Sequence, residues 1–468
     1  MRRRFQVVRK NLSTVMVISI AVFASLAQAQ VDSVSGPAMT VKRTKITKSS
    51  KSKNAQKTAP VVTEASNPPV LQNSDNVSGA PAAVVRPQDD SPVGSAWNEL
   101  ATTANGTSTT AEASTSWRKA KETKFAYKFG SGFDSFANER EQSQYFGFGV
   151  GGDFQAQLMD SLTFRAKASA SVTSGYAQSR FGDNVGASGL YVDEALLNLR
   201  AFDSSLARMY IAAGALSQGV FDSSMFIGRQ AFPGVKETLV FGNSKEFKLR
   251  LWAQQTIPTS KNLSTKTVDA EITPSFLTET VDLQIKPNDT FTMKAAVTHF
   301  KFNSLPSAIA QESIIYGNTV DEIGPNTSRF KYGFDGIFAS AGLDVDITRR
   351  FGWWIAGSVI QNAAAPEGYR NAQHIKSGFK IGLPGEIDVV PSVATYFIED
   401  DAVPGFYNSS GIGHTNRQGY GGALETFFQR QKFKLKAEYN DADVINFNLN
   451  QSRQQSLTIG FETFYEML

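Results

Sequence analysis

The chain has three histidines, His299, His374 and His414, and no cysteine. None of the three lies beside a serine motif or an acid cluster that would orient it as a general base, and no close His pair or thiol set offers a metal site. No catalytic residue, cofactor or metal is therefore expected. What remains is electrostatic. Arg165, Lys167, Arg200, Arg250, Lys294, Lys376, Lys380, Lys434 and Lys436 recur at alternate positions in otherwise apolar segments, with fewer acids such as Glu194 and Glu425 among them. Bases presented in this way along a surface collect anions.

The segments that carry these charges have strand periodicity. In 162–172, Leu162, Phe164, Ala166, Ala168, Ala170 and Val172 share one face, while Thr163, Arg165, Lys167, Ser169 and Ser171 share the other. Residues 247–257 and 433–439 sort in the same way. Short polar connectors at 159–161, 202–205, 242–245, 286–289, 348–350, 384–385 and 429–431 read as tight turns. They alternate with longer connectors at 134–143, 173–188, 216–234, 258–274, 303–333, 362–371, 399–417 and 441–452. Together they join about sixteen strands, with short turns on one side and long loops on the other.

An all-β fold with this asymmetry is expected to be a transmembrane antiparallel up-and-down β-barrel over residues 121–468. Hydrocarbon offers no partner to free backbone groups, so a sheet lying in it must close. With the apolar faces turned to lipid, the bases named above line the lumen, which is then basic on balance and prefers anions. Tyr127, Phe146, Trp252, Trp353, Trp354, Phe397, Phe427 and Tyr465 are expected in interfacial girdles.

The N-terminus supplies the compartment. Arg2, Arg3, Arg4, Arg9 and Lys10 precede an apolar run from Val15 to Ala27, and Ala27-Gln28-Ala29 is a small-x-small tripeptide. Residues 1–29 thus read as a secretory signal peptide, too short for the roughly eighteen apolar residues of a membrane helix. Residues 30–120 are rich in Ser, Thr, Ala and Pro and read as a disordered periplasmic linker. Its cationic stretch, Lys42, Arg43, Lys45, Lys48, Lys51, Lys53 and Lys57, could contact the anionic cell wall. The dispersed charge of the rest gives no nucleic-acid footprint.

The last strand carries a resemblance. Gly460, Phe461 and Tyr465 in Thr458-Ile-Gly-Phe-Glu-Thr-Phe-Tyr465 are similar to the C-terminal signal read by the insertion machinery of bacterial outer-membrane barrels, although Thr463 and the overhang Glu466-Met-Leu468 depart from it. Residues 190–233, with Asp193-Glu-Ala195, a glycine-containing strand and a long third loop, resemble porin-type channels. That resemblance implies a barrel surrounded by outer-membrane lipid, possible assembly as a homotrimer, and a third loop folded inward to narrow the pore. In that loop Asp222 and Arg229, among Phe221, Phe226 and Phe232, are the candidate constriction. The expected function is passive diffusion of small hydrophilic solutes; the alternative is an adhesin-like surface barrel with no open pore.

Overall fold

The computed structural model describes residues 123–468 except 140–141, 179–188, 229–230, 245, 260–270, 289, 325–326, 409–413, 464–465 and 468. The signal peptide, the linker with its basic stretch, Arg229 and Tyr465 lie outside the described residues.

Sixteen antiparallel strands form the wall: β1 (Thr123–Asn138), β2 (Gln142–Met159), β3 (Leu162–Gln178), β4 (Gly189–Asp203), β5 (Ala207–Ser217), β6 (Ala231–Ser244), β7 (Phe247–Thr256), β8 (Ser275–Asn288), β9 (Phe291–Asn303), β12 (Phe334–Thr348), β13 (Phe351–Asn362), β14 (Asn371–Leu383), β15 (Ile387–Ile398), β16 (Arg417–Phe428), β17 (Phe433–Val444) and β18 (Gln454–Thr463). A short β19 (Glu466–Met467) continues β18 and also pairs with β1. Each strand pairs with its sequence neighbours, and β1 closes the sheet by pairing with both β2 and β18. Among the described residues no barrel edge is left unpaired, which is the condition a sheet must meet in hydrocarbon.

The alternation read from the sequence sets the two faces. In β2, Phe146, Phe148 and Val150 are exposed on the outside while Ser143, Tyr145 and Gly147 are buried on the inside. In β3 the hydroxyls of Thr163, Ser169 and Ser171 are on the buried side. One register step would exchange these sets, so the pairing is strongly specified. Tight turns join the strands at one rim; between β14 and β15, Gly385 (φ 87°) and Glu386 (φ 61°) both adopt left-handed backbone to complete the reversal.

Three expectations need correction. The connector expected at 134–143 is no loop: β1 and β2 run on to Asn138 and Gln142, because Asp134, Phe136, Ser143 and Tyr145 keep the strand alternation and pair across the hairpin. The connector at 303–333 is not plain loop either. It holds a short, two-turn helix α1 (Ser307–Ser313) and a hairpin of β10 (Val320–Gly324) and β11 (Thr327–Phe330). Finally, Trp252, Trp354 and Phe427 are not girdle residues, since their strand positions share the inward face with Arg250, Ala356 and Glu425. Phe146 and Trp353 do face outward.

The apolar core sits inside the barrel, at the long-loop end. Met225, Phe226 and Ile227 of the third loop, Phe276, Phe300, Phe302, Phe334 and Phe338 of the wall, Ile309 of α1, and Val403, Phe406 and Tyr407 of the loop after β15 form one cluster. Phe226 stacks on Phe338 with centroids 5.2 Å apart and leans on Phe300 at 4.8 Å. Burying each such ring contributes about 2–3 kcal/mol, enough to hold loops that would otherwise be solvated.

Candidate functional site

The third loop, between β5 and β6, starts as a tight structure organised by Ser223. Its hydroxyl accepts from the Val220 amide (3.2 Å), and its carbonyl accepts from the amides of Phe226 (2.8 Å) and Ile227 (2.9 Å). Asp222, with φ 52°, turns the chain back. This turn projects Phe221 and Asp222 away from their own strands and onto the wall at β12 to β14, with β7, β8, β9, β12 and β13 lying between β6 and β14. The loop therefore crosses the lumen rather than extending outward.

Its landing site is one register row. Lys294 on β9 pairs with Gly342 on β12, Gly342 with Ala356 on β13, and Ala356 with Lys376 on β14. Two small residues thus lie between two lysines. The Phe221 ring fills the small gap at Gly342, with the Lys294 ammonium 5.7 Å from its centroid. The Asp222 carboxylate lies 2.7 Å from Lys376 Nζ, and His374 Nδ1 is 3.7 Å from its other oxygen. Asp222 is buried at 1% side-chain exposure, while Lys376 remains a third exposed. A buried carboxylate needs such a partner, because desolvation alone would penalise its charge.

The other candidate residues spread along the inner wall, most of them in ion pairs. Arg165 lies 2.7 Å from Asp153 and 3.7 Å from Glu194, and Lys167 lies 3.8 Å from the same Asp153. Arg250 pairs with Asp282, Lys434 lies 3.7 Å from Glu425, and Lys436 pairs with Glu438. Arg200 sits at the short-turn rim, bound to Asp203 (2.9 Å) and to the Asp160 carbonyl (3.2 Å). Lys380 is exposed, on the same face of β14 as Lys376. Gly460 is buried on the inward face of β18, and Phe461 on the other face packs against Phe433 at 5.3 Å.

Several contributors were not singled out in the sequence. Asp153 follows two glycines, and Lys128 pairs with Glu462 where β1 meets β18; the strand alternation could have placed both. Gly342 matters only through what approaches it, which no local pattern announces.

At the long-loop end, side chains tie the loops together. Asn318 donates to the carbonyls of Asp400 (2.6 Å) and Val403 (2.9 Å) and accepts from the Gly405 amide. Asn362 donates to the Asp401 carbonyl (2.7 Å), and Asn446 donates to the Asp400 carboxylate (2.9 Å). Burial among these groups pushes the carboxyls of Asp400 and Asp401 up to about 6, against the partial relief of their hydrogen bonds.

No protein-family model matches the chain, and no curated protein matches it in sequence. Among solved structures it is similar to the high-pH form of Pseudomonas putida OprB, at 11% identity over 73% of this chain and 94% of that one, with a TM-score of 0.48. It is also similar to a loop-deletion mutant of Vibrio cholerae OmpT (11%, 74% and 100%, TM-score 0.44) and to Pseudomonas aeruginosa OccK5 (10%, 74% and 98%, TM-score 0.39). The fold rests on the strand pairing described above and not on these likenesses.

Proposed function

We propose that the protein is an outer-membrane channel of porin type that passes small hydrophilic solutes by diffusion and prefers anions. The observation that carries this reading is the third loop, which crosses the lumen and is fixed on the far wall through Asp222 and Lys376. A tube narrowed by a loop anchored within it sets a size limit without closing the tube, and charges on the remaining wall then act on what passes. With Asp222 held by Lys376, Lys294 and Lys380 supply positive charge at and below the narrowing. The exposed apolar outer face suits outer-membrane lipid, and the signal peptide and C-terminal signal read from the sequence suit export and delivery to the insertion machinery. Homotrimer assembly and cell-wall contact of the basic linker belong to the same reading and rest on the sequence alone.

A second reading, a surface-interaction barrel without an open pore, is favoured by the apolar cluster of loops inside the mouth. Planar-bilayer recording of the refolded protein under a salt gradient separates the two. Stable current with an anion-selective reversal potential supports the channel; no current from folded barrel supports the closed one.

A further inference from the structure

We propose that residues 399–408, the segment that follows β15, form an acid-closed latch on the third loop: it holds the pore narrow while the carboxyls of Glu399, Asp400 and Asp401 are protonated and releases the loop when they ionise. The inference rests on the channel reading and adds regulation to it.

Three consecutive carboxyls are buried here, Glu399 and Asp400 at 8% exposure and Asp401 at 1%. Among the described residues none of them forms an ion pair. Their partners are neutral: Glu399 accepts from the Asn371 amide (2.7 Å), Asp400 from the Asn446 side chain (2.9 Å) and Asp401 from the Thr319 amide (3.0 Å). The charged groups around them do not offset this. Arg370 relieves Glu399 while Glu367 opposes it, and Arg417, across the ladder from Ile398, donates to the Ser452 carbonyl. On the loop side Glu312 faces Tyr407, and His414 turns Nδ1 to the Gly405 carbonyl and the Asn408 side chain. Adjacent carboxylates without a cation cannot all ionise where water is excluded. Burial accordingly raises all three carboxyls, those of Asp400 and Asp401 to about 6.

The same segment grips the third loop. The Tyr407 carbonyl accepts from the Gly228 amide (2.7 Å), and the Tyr407 ring meets Phe232 edge-on with centroids 5.2 Å apart. Val403 and Phe406 belong to one apolar cluster with Phe226 and Ile227. Glu399 is bound in turn to Asn371, the first residue of β14, which carries Lys376. Residues 399–408 therefore touch the third loop directly and, through Asn371, the strand on which Asp222 lands.

The sign follows from the raised carboxyls. The latched form binds more protons than a released one, whose carboxyls return to about 4 in water. Acid therefore favours the latch, and a rise through pH 6 opposes it. Between pH 5 and pH 7, Asp400 and Asp401 should each change the ratio of released to latched protein by about tenfold.

The test is single-channel recording with the long-loop side held at pH 5 or pH 7, on the wild type and on the double variant Asp400→Asn with Asp401→Asn, both checked for folding by heat-modifiable gel migration. Expected is a larger and noisier wild-type conductance at pH 7, produced from that side alone, and a double variant that keeps the pH 5 behaviour at both values. Equal wild-type conductance at the two pH values, or a double variant with the wild-type response, overturns the latch and leaves the channel standing. Hydrogen exchange of the amides in 223–228, corrected for the intrinsic rate, reads the same grip without current. If folded barrel carries no current the channel reading falls, and third-loop exchange that does not quicken from pH 5 to pH 7 overturns the latch as well.

Discussion

A side-chain carbon added to Gly342 would lie 2.5 Å from Cζ of Phe221, although Gly342 belongs to β12 and Phe221 to the third loop, 121 positions apart in the chain. The third loop is thus fitted to its landing site at the level of one hydrogen atom. Gly342→Ala forces the ring out, and because the ring and Asp222 are adjacent, the ion pair with Lys376 moves with it. Overpacking of this kind costs about 1–3 kcal/mol. The expected outcome is a larger and noisier open-channel conductance in single-channel recording, with the barrel still folded by gel migration.

Asp222 and Lys376 make opposite predictions. Asp222→Asn keeps the shape and tolerates the left-handed backbone at φ 52°, but it removes the carboxylate charge beside Lys376. Anion preference should rise, read as a reversal potential displaced further in the anion direction. Lys376→Gln instead leaves a carboxylate at 1% exposure without its cation. Removing one partner of a buried pair typically costs about 3–5 kcal/mol, and the partial exposure of Lys376 places this case below that range. The loop should become open to limited proteolysis near Ser223 while anion preference falls. If both variants moved the reversal potential in the same direction, Asp222 and Lys376 would not be acting as a pair.

The barrel was legible because its signals are local. Alternation in 162–172 and the polar turn at 384–385 depend on residues one and two apart, and a sheet that must close leaves little freedom in how such pieces join. The first hairpin was misread because Asp134 and Ser143, polar residues on the inward face, look like loop composition when the partner strand is out of sight. Trp252 was misread for the same reason, as an aromatic near a strand end is equally compatible with either face until the register is known. The partner of Asp222 could not be read at all: Arg229 is near in sequence, whereas Lys376 is near only after the loop has crossed the lumen.

Asp400 and Asp401 give the loop assembly a pH dependence whose sign follows from their carboxyls standing at about 6 in the fold against about 4 unfolded. A group whose folded value is raised binds more protons in the native state between those limits. Its contribution is therefore fully present below about pH 4 and is lost as pH rises through 6. Acidification from pH 7 to pH 5 should tighten the loops held by Asn318, Asn362 and Asn446. Hydrogen exchange of the amides in 399–408 should slow over that interval, and Asp401→Asn should flatten the response. Exchange that slows toward higher pH, after correction for the intrinsic rate, would contradict the assignment.

Closure of the barrel can be tested at the seam where β1 meets β18. Lys128 Nζ lies 2.5 Å from the Glu462 carboxylate, and both side chains are nearly fully buried on the inner face. The pair joins the two ends of the folded wall across 334 positions of sequence. Glu462→Gln removes the carboxylate charge beside a buried ammonium, and a loss of about 3–5 kcal/mol is expected of such a break. Replacing both residues with apolar ones of similar size should be milder than either single change, since no orphaned charge remains. The measurement is the temperature at which the barrel loses its folded gel migration, compared across Lys128→Met, Glu462→Gln and the double variant Lys128→Met with Glu462→Leu. A double variant less stable than both singles would show that the seam depends on hydrogen bonding to these groups and not on balancing their charges.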